Sequence, residues 1–359
     1  MTAAALRRWD RVHGWSSLAC TLFLLLLCVT GLPLVFSDEF RAAPPPLAKN
    51  DGAPLTLEQV VARAHQVQPG ADVQFLFFDD EALDTVGLGL ADTPSAGLDA
   101  VRRLYFDRRT GKAVLETPPP SGLLETVRAL HTELLAGGAG EMVLAAVALC
   151  FLASLVSGVV LYAPFAAGRA FGAVRRTGRV PRWLDLHNVI GIVLAAWLLV
   201  VGATGLMNAL EKPLFGAWQS EVMPRLLAPY RGKPLPTSLA PVDAVLDAAT
   251  RAAPGMVPTS IGYPYSPYGS PQHFLIWLKG GTHLTEHFFT VVLVEAESGR
   301  LTAVARLPWY LRALEISRPL HFGDYGGLPL KLIWVCFDLG AILVLVSGLY
   351  LWVARRRAA

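Results

Sequence analysis

The chain has 359 residues, of which 53% are hydrophobic and only 16% charged, and its mean hydropathy is +0.44. Soluble domains carry about 25% charged residues, so this composition points to a membrane protein. A net charge of +3 without a Lys/Arg-rich run sets nucleic-acid binding aside, and four cysteines that all fall in apolar stretches (Cys20, Cys28, Cys150, Cys336) argue against a disulfide framework, a Cys-based zinc site and the C-x-x-C-H of covalent haem.

Arg7, Arg8 and Arg11 precede a first apolar stretch, 15–36. Its length exceeds the ~7 to 15 residues of a signal-peptide core, so it reads as a retained membrane helix. The segment 37–130 follows, bounded by Pro-rich APPPL and TPPPS. Within it LTLEQVVARAHQ has helical apolar spacing, VQFLFF reads as a strand, and RRLYFDRRTGK reads as two strands around a turn at Thr110-Gly111. Residues 131–163 hold His131 and a second apolar span, 142–163. The basic loop 164–186 leads to a third span, 187–210. Residues 211–320 repeat the earlier order: a helical SLAPVDAVLDAATRA after the Pro-rich KPLPTSLAP, a strand HFLIWLKG, and FFTVVLVEAESGRL with its turn at Ser298-Gly299. The chain closes with 321–353, which holds His321 and the fourth span, and a basic tail, 354–359. The expected architecture is an all-α four-helix transmembrane bundle with two α+β domains on one side.

Arginine placement orients the spans. The N-terminus, the loop after the second span (Arg169, Arg175, Arg176, Arg179, Arg182) and the tail (Arg355, Arg356, Arg357) sum to +9 against Asp10 and Asp185, leaving −6 for the rest. Both termini are therefore expected in the cytoplasm, and the segments 37–130 and 211–320 on the outer side, the periplasm of a bacterium.

The halves repeat. His13 precedes Thr30-Gly31 by 17 residues, as His187 precedes Thr204-Gly205; His131 precedes Ser157-Gly158 by 26, as His321 precedes Ser347-Gly348. Two matched offsets point to an internal duplication of one unit, in parallel orientation.

The segment LHFGDYGGLPLKLIWVCFDLG…SGLYLWVARR, the opening RRWDRVHGW and the DLHNVIG at 185–191 resemble the PepSY-associated transmembrane family of iron-regulated bacterial membrane proteins, and the two outer segments, with their DRRTG and EAESG turns, resemble its PepSY modules. The resemblance covers almost the whole chain. It implies relatedness to FoxB-type inner-membrane reductases, which bind two b-type haems and reduce ferric siderophores.

Four histidines mark the starts of the span segments. On the orientation above, His13 and His187 lie at the cytoplasmic edge, and His131 and His321 on the outer side. Imidazole is a common axial ligand of haem iron, and one histidine from each of two helices makes the iron six-coordinate, so these four are the candidate ligands of two non-covalent haems. A lone interfacial histidine more often anchors a helix end; four at matched positions shift the balance to ligation. Gly14, Gly191, Gly31, Gly205, Gly158 and Gly348 would let a flat macrocycle, or equally a neighbouring helix, come close. A straight helix over 131–163 would be about 48 Å long and leave His131 outside a hydrocarbon core of ~30 Å. Gly137, Gly138 and Gly140, and Gly323, Gly326, Gly327 and Pro329, suggest breaks that tip both histidines back.

Asp10 and Asp185 could each hold a ring N–H or face a propionate-binding arginine, with surface capping as the plainer role; Asp324 could do the same for His321. Asp338, an acid within a span, fits a proton-relay or quinol site, or a hydrogen-bonded helix contact. His283 and His287 are spaced i, i+4 but sit in a turn-and-strand context that favours ordinary exposed residues over a metal pair; His65 and His273 carry no motif. Tyr263, Tyr265 and Tyr268 form an aromatic loop that could cradle an iron chelate or simply brace the surface. No catalytic residue is assigned.

The expected function is passage of electrons from the cytoplasmic side to a periplasmic ferric siderophore or other Fe(III) chelate. No G-x-G-x-x-G follows a strand, so a quinol or a separate cytoplasmic reductase would be the donor. The alternatives are a membrane-anchored PepSY binding or regulatory module and, from the duplicated halves, a transporter, which the parallel repeat and the lack of an ion-pair pathway disfavour.

Overall fold

The computed structural model describes residues 2–40, 53–78, 84–97, 100–115, 122–266, 269–282 and 285–358. In chain order it contains α1 (Ala3–Leu34), α2 (Ser37–Phe40), α3 (Leu57–Val67), β1 (Asp72–Phe78), β2 (Thr85–Ala91), β3 (Arg102–Asp107) and β4 (Ala113–Leu115). Next come α4 (Leu123–Glu133), α5 (Gly138–Ala166), α6 (Arg179–Ala209), α7 (Glu211–Glu221), α8 (Met223–Leu226) and α9 (Val242–Ala252). The strands β5 (Met256–Gly262), β6 (His273–Gly280), β7 (Phe289–Glu295) and β8 (Leu301–Ala305) follow, then α10 (Trp309–Phe322) and α11 (Gly327–Ala358). These elements divide into a helical unit (Met1–Arg41, Ser121–Leu214, Ile316–Ala359) and a sheet unit (Ala42–Pro120, Phe215–Glu315).

In the helical unit, α1, α5, α6 and α11 are each long and apolar enough to cross a bilayer. α1 packs beside α5 and α11, and α6 beside α5 and α11, so the four close into a bundle. Its apolar centre joins Leu194, Leu198 and Ala341 to Phe151, Trp197 and Phe337. At most 28% of any of the four apolar windows is buried within the protein. Leu22, Val193 and Leu343 accordingly face outward, as residues of a lipid-bathed helix do, and the protein is a multi-pass membrane protein.

Two helices begin well before the apolar stretches that announce them. α1 starts behind Thr2, whose hydroxyl caps the Ala5 N–H at 3.3 Å, and α6 starts behind Gly178, with Pro181 in its first turn. His13 and His187 therefore sit inside continuous helices. His131 and His321 do not. α4 ends in a corner where Leu134, Leu135 and Gly137 all have positive φ (52°, 57° and 57°), and a Cβ on Gly140 would lie 1.7 Å from the Glu133 carbonyl oxygen, so the tight return needs glycine there. Between α10 and α11 the break runs from Gly323 (φ 73°) to Gly327 (φ 57°). The expected 131–163 and 321–353 segments are thus each a short helix, a corner and a span.

The sheet unit departs from the expectation of two α+β domains. The eight strands form one antiparallel sheet in the order β4-β3-β2-β1-β5-β6-β7-β8. Each half is a meander behind one helix, and the halves join where β1 pairs with β5, Phe75 opposite Gly262 and Phe77 opposite Ser260. Alone, each meander would expose the edge of its first strand; pairing the two edges satisfies both. The helices join the halves as well. α3 and α9 bury the same three positions, Leu57/Val60/Ala64 and Val242/Val245/Ala249, on one shared core. Asp243 accepts from the Leu57 and Glu58 N–H groups, both at 2.9 Å, while Glu58 accepts from the Val242 N–H at 3.1 Å, so each helix N-terminus is capped by the other's acid. The DRRTG and EAESG turns share one form: Gly111 (φ 68°) and Gly299 (φ 66°) donate to the carbonyls of Asp107 and Glu295.

Candidate functional site

The helical unit brings the four histidines together as two facing pairs. His13 of α1 faces His187 of α6 with ring centroids 6.3 Å apart and planes at 70°; His131 of α4 faces His321 of α10 at 6.4 Å and 63°. The first pair lies toward the chain termini and the second at the opposite end of the bundle, so we call them the terminus-side and far-side pairs.

One local design holds all four rings. His13 Nδ1 donates to the Ser154 carbonyl (2.9 Å), His187 Nδ1 to Val344 (3.0 Å) and His321 Nδ1 to Val201 (3.1 Å); the Leu27 carbonyl serves His131. A carbonyl only accepts, so Nδ1 carries the proton and Nε2 of the neutral ring keeps its lone pair. A hydroxyl three residues beyond each carbonyl adds a second acceptor: Ser157 for His13 (3.4 Å), Ser347 for His187 (3.0 Å), Thr30 for His131 (2.9 Å) and Thr204 for His321 (3.2 Å). These hydroxyls spend their own hydrogens on carbonyls of their own helix, such as Thr30 on Leu26 and Ser347 on Val344. The next residue is glycine in every case. A Cβ on Gly158, Gly348, Gly31 or Gly205 would come 3.1–3.3 Å from Cε1 of the ring it faces, so these glycines are seats cut to the imidazoles.

The Ser/Thr-Gly pairs that mark the sequence repeat therefore serve histidines of other helices: Thr30-Gly31 of α1 seats His131, and Ser157-Gly158 of α5 seats His13. Sequence offsets alone do not disclose this exchange. Its signal is the constant i, i+3, i+4 spacing of carbonyl, hydroxyl and glycine on one helix face.

The spacing within each pair can be compared with that of two imidazoles sharing one metal ion. Two metal–imidazole bonds of about 2.1 Å, with ring centres about 1.1 Å behind each nitrogen, put the centroids of two opposed imidazoles about 6.4 Å apart. Both pairs have this separation. Beside the terminus-side pair a cavity of about 340 Å³ opens among the four spans, within the range of small-molecule and cofactor sites. Its wall includes Gly14 and Gly191, where a Cβ would meet nothing within 4 Å, and Leu18, Phe151 and Leu345 make it mainly apolar.

The acids divide. Asp10 lines this cavity and pairs with Arg355 at 3.3 Å. Asp185, only 1% exposed, touches neither histidine; it binds the Arg175 guanidinium (2.8 Å) and N–H (2.9 Å) and Arg169 (3.4 Å), pinning the basic connection to the start of α6. With the Val344 carbonyl already on His187 Nδ1, that ring has no need of it. Asp338 accepts from the Cys28 thiol, and its Oδ2 is buried without a hydrogen-bond partner among the described residues. The Asp324 side chain lies outside the described residues.

Outside the bundle, His65 is exposed and His287 half-buried in a turn beside Glu286, while His283 and Tyr268 lie outside the described residues. His273 is fully buried, bonded to Ser270 Oγ at 3.1 Å and packed edge-on to Tyr230; burial pushes its pKa down to about 4, and it stays neutral as part of the sheet core. Tyr263 is buried against Phe274, with ring centroids 5.0 Å apart, and is a core residue, which removes it from an open chelate-binding loop.

Comparison with known proteins identifies relatives of the chain as a whole. An uncharacterized protein of Pseudomonas aeruginosa is 26% identical over 266 residues, which cover 66% of this chain and 64% of that protein, so the chain spans somewhat less than two thirds of that relative's length. The family described as the PepSY-associated TM region matches from residue 11 to residue 355, a stretch that includes all four histidines, and the chain belongs to that family.

Proposed function

We propose that the protein is a b-type dihaem electron-transfer protein of the bacterial inner membrane, with both termini cytoplasmic, and that it delivers electrons to a periplasmic ferric chelate. The observation that carries this reading is the pair of imidazole pairs at 6.3 and 6.4 Å, each ring held by Nδ1 so that Nε2 is the free donor. The donor set is neutral and all-nitrogen, which suits iron in a porphyrin; a bare divalent ion would lack further ligands, since the described residues bring together no group of three or more His, Cys, Asp or Glu able to hold one. The glycine seats and the apolar cavity support the same reading.

Bound haem would supply a reversible one-electron couple, Fe(III)/Fe(II). The chain's part is to fix tautomer and ring direction, to keep the ligands neutral by pairing Nδ1 with carbonyls rather than carboxylates, and to exclude water with apolar side chains from four helices. The acceptor follows from chemistry: hard oxygen chelators hold Fe(III) far better than Fe(II), so one electron per iron loosens the complex. The donor is a quinol or a separate cytoplasmic reductase. The +9 charge of the N-terminus, the 164–186 connection and the tail supports the cytoplasmic placement of those segments.

The test is the absorbance of the purified protein. Two haems per chain by pyridine haemochrome, with a Soret band and sharp α and β bands on reduction, are expected, and anaerobic addition of a ferric chelate should reoxidise them. A protein expressed with ample haem that shows no Soret band would sink the reading and leave a membrane-anchored sheet module.

A further inference from the structure

The cavity beside His13 and His187 is apolar along its length and charged at one end. Asp10 lies three residues before His13 on α1; Arg355 lies seven residues, or about two turns, beyond Gly348, the seat of His187 on α11. Both line the cavity, and Arg355 is the one Lys or Arg among the described residues that do so. Their contact is a single 3.3 Å hydrogen bond from Arg355 Nη1 to Asp10 Oδ1, with both side chains more than half exposed. Exposed pairs of this kind contribute about 0 to 1 kcal/mol to stability, so as a helix staple it is weak. As the mouth of an apolar slot it has another use. A guanidinium binds a carboxylate through two parallel N–H donors, and here only one is engaged.

We infer that Arg355 is the positioning residue that anchors a carboxylate of the ligand held in this cavity, and that Asp10 is the carboxylate it exchanges for that contact. This rests on the dihaem reading, since a porphyrin is a flat apolar disc with two carboxylates on one edge. It goes further in setting that edge toward the chain termini and in giving the terminus-side site a charged latch. A ligand carboxylate held close to the apolar slot is better shielded from water than Asp10, so it is the stronger partner for Arg355. Removing the acid should then favour the ligand.

The experiment uses the full-length protein in detergent and follows haem transfer to excess apomyoglobin. In R355Q one of the two haems should leave about tenfold faster, the loss of one charge-assisted pair, while low-spin bis-imidazole signals persist at first because both ligands remain. R355K should fall between. D10N should leave the rate unchanged or slow it. If D10N speeds the loss as R355Q does, the pair is only a staple between α1 and α11 and the inference fails; an unchanged rate in R355Q overturns it equally. Wild-type protein without haem would fail the dihaem reading itself, whereas two haems with Asp10 and Arg355 variants moving together would fail this inference alone.

Discussion

The terminus-side and far-side histidine pairs share the same ring support but reach it from different secondary structure. His13 and His187 are interior residues of spanning helices, so their positions are set by helix continuity. His131 and His321 stand at the ends of short helices, α4 and α10, that return to the bundle through corners built on positive-φ residues. The hydroxyls differ too, serine at the terminus side and threonine at the far side. The contrast teaches that the unit repeated around the bundle is the seat, a carbonyl, a hydroxyl and a glycine on one helix face. The helix that presents the imidazole can be a span or an added piece.

Removing a ligand should break the comparison most completely. H13A or H187A is expected to abolish one low-spin haem, or convert it to high spin, and leave the other; H131A or H321A should do the converse. Redox-resolved spectra and electron paramagnetic resonance read this out. If all four variants keep two low-spin haems, the pairing is wrong.

Next in size is the corner. A Cβ on Gly140 would sit 1.7 Å from the Glu133 oxygen, too close for side-chain adjustment, so G140A must open the turn between α4 and α5. The far-side haem should be lost or high-spin in most of the population while the terminus-side haem stays, which also reports that the bundle is folded. Equal loss of both would show that the two sites are not separable in the way their helices suggest.

How much of this is legible in the sequence depends on whether a feature is local. Four spans, their histidines and the glycine clusters at 137–140 and 323–327 can be read directly, because hydropathy and φ preferences act within a few residues. The turns at Thr110-Gly111 and Ser298-Gly299 are legible for the same reason. Which helix seats which imidazole is not, since Thr30 and His131 are 101 residues apart and nothing in either neighbourhood names the other. The single sheet is hidden likewise: VQFLFF reads as a strand of its own module, the sequence reading passes over β5 and takes HFLIWLKG, now β6, as the strand after the second helix, and only backbone edges, which carry no side-chain signal, decide that β1 and β5 pair. Asp185 reads as a neighbour of His187 by position, yet its partner is settled by the fold of the connection carrying Arg175.

The seats should respond more gently than the corner. Adding a methyl at Gly158 or Gly205 places it 3.1 Å from Cε1 of His13 or His321, and at Gly31 3.3 Å from His131, so each ring must shift by a few tenths of an ångström. G158A and G205A are expected to weaken haem binding at their own site by roughly three- to tenfold, and G31A by less. Competition with apomyoglobin measures this, and an effect at the opposite site would contradict the assignment of seats to rings.

The hydroxyls should give the smallest effect and the finest distinction between the two ends. Each ring keeps its backbone carbonyl when the hydroxyl is removed, and His13 keeps Ser154 Oγ at 3.5 Å as well, so the loss is a single secondary acceptor on Nδ1, worth about 0.5 to 1.5 kcal/mol at most. Among the four, Thr30 and Ser347 lie closest to their rings, at 2.9 and 3.0 Å, and Ser157 lies farthest, at 3.4 Å. T30V and S347A should therefore shift the ligand-field signature of their own haem, seen as a change in its g-values and a small fall in affinity, while S157A stays close to wild type. Threonine adds a methyl that fixes its rotamer, so T30S should retain the hydrogen bond yet broaden the far-side signal as the hydroxyl gains freedom to turn away. Were S157A to perturb its site as much as T30V does, the hydroxyls would act through the packing of the seat rather than through Nδ1, and the difference between the serine and threonine ends would be one of helix contacts alone.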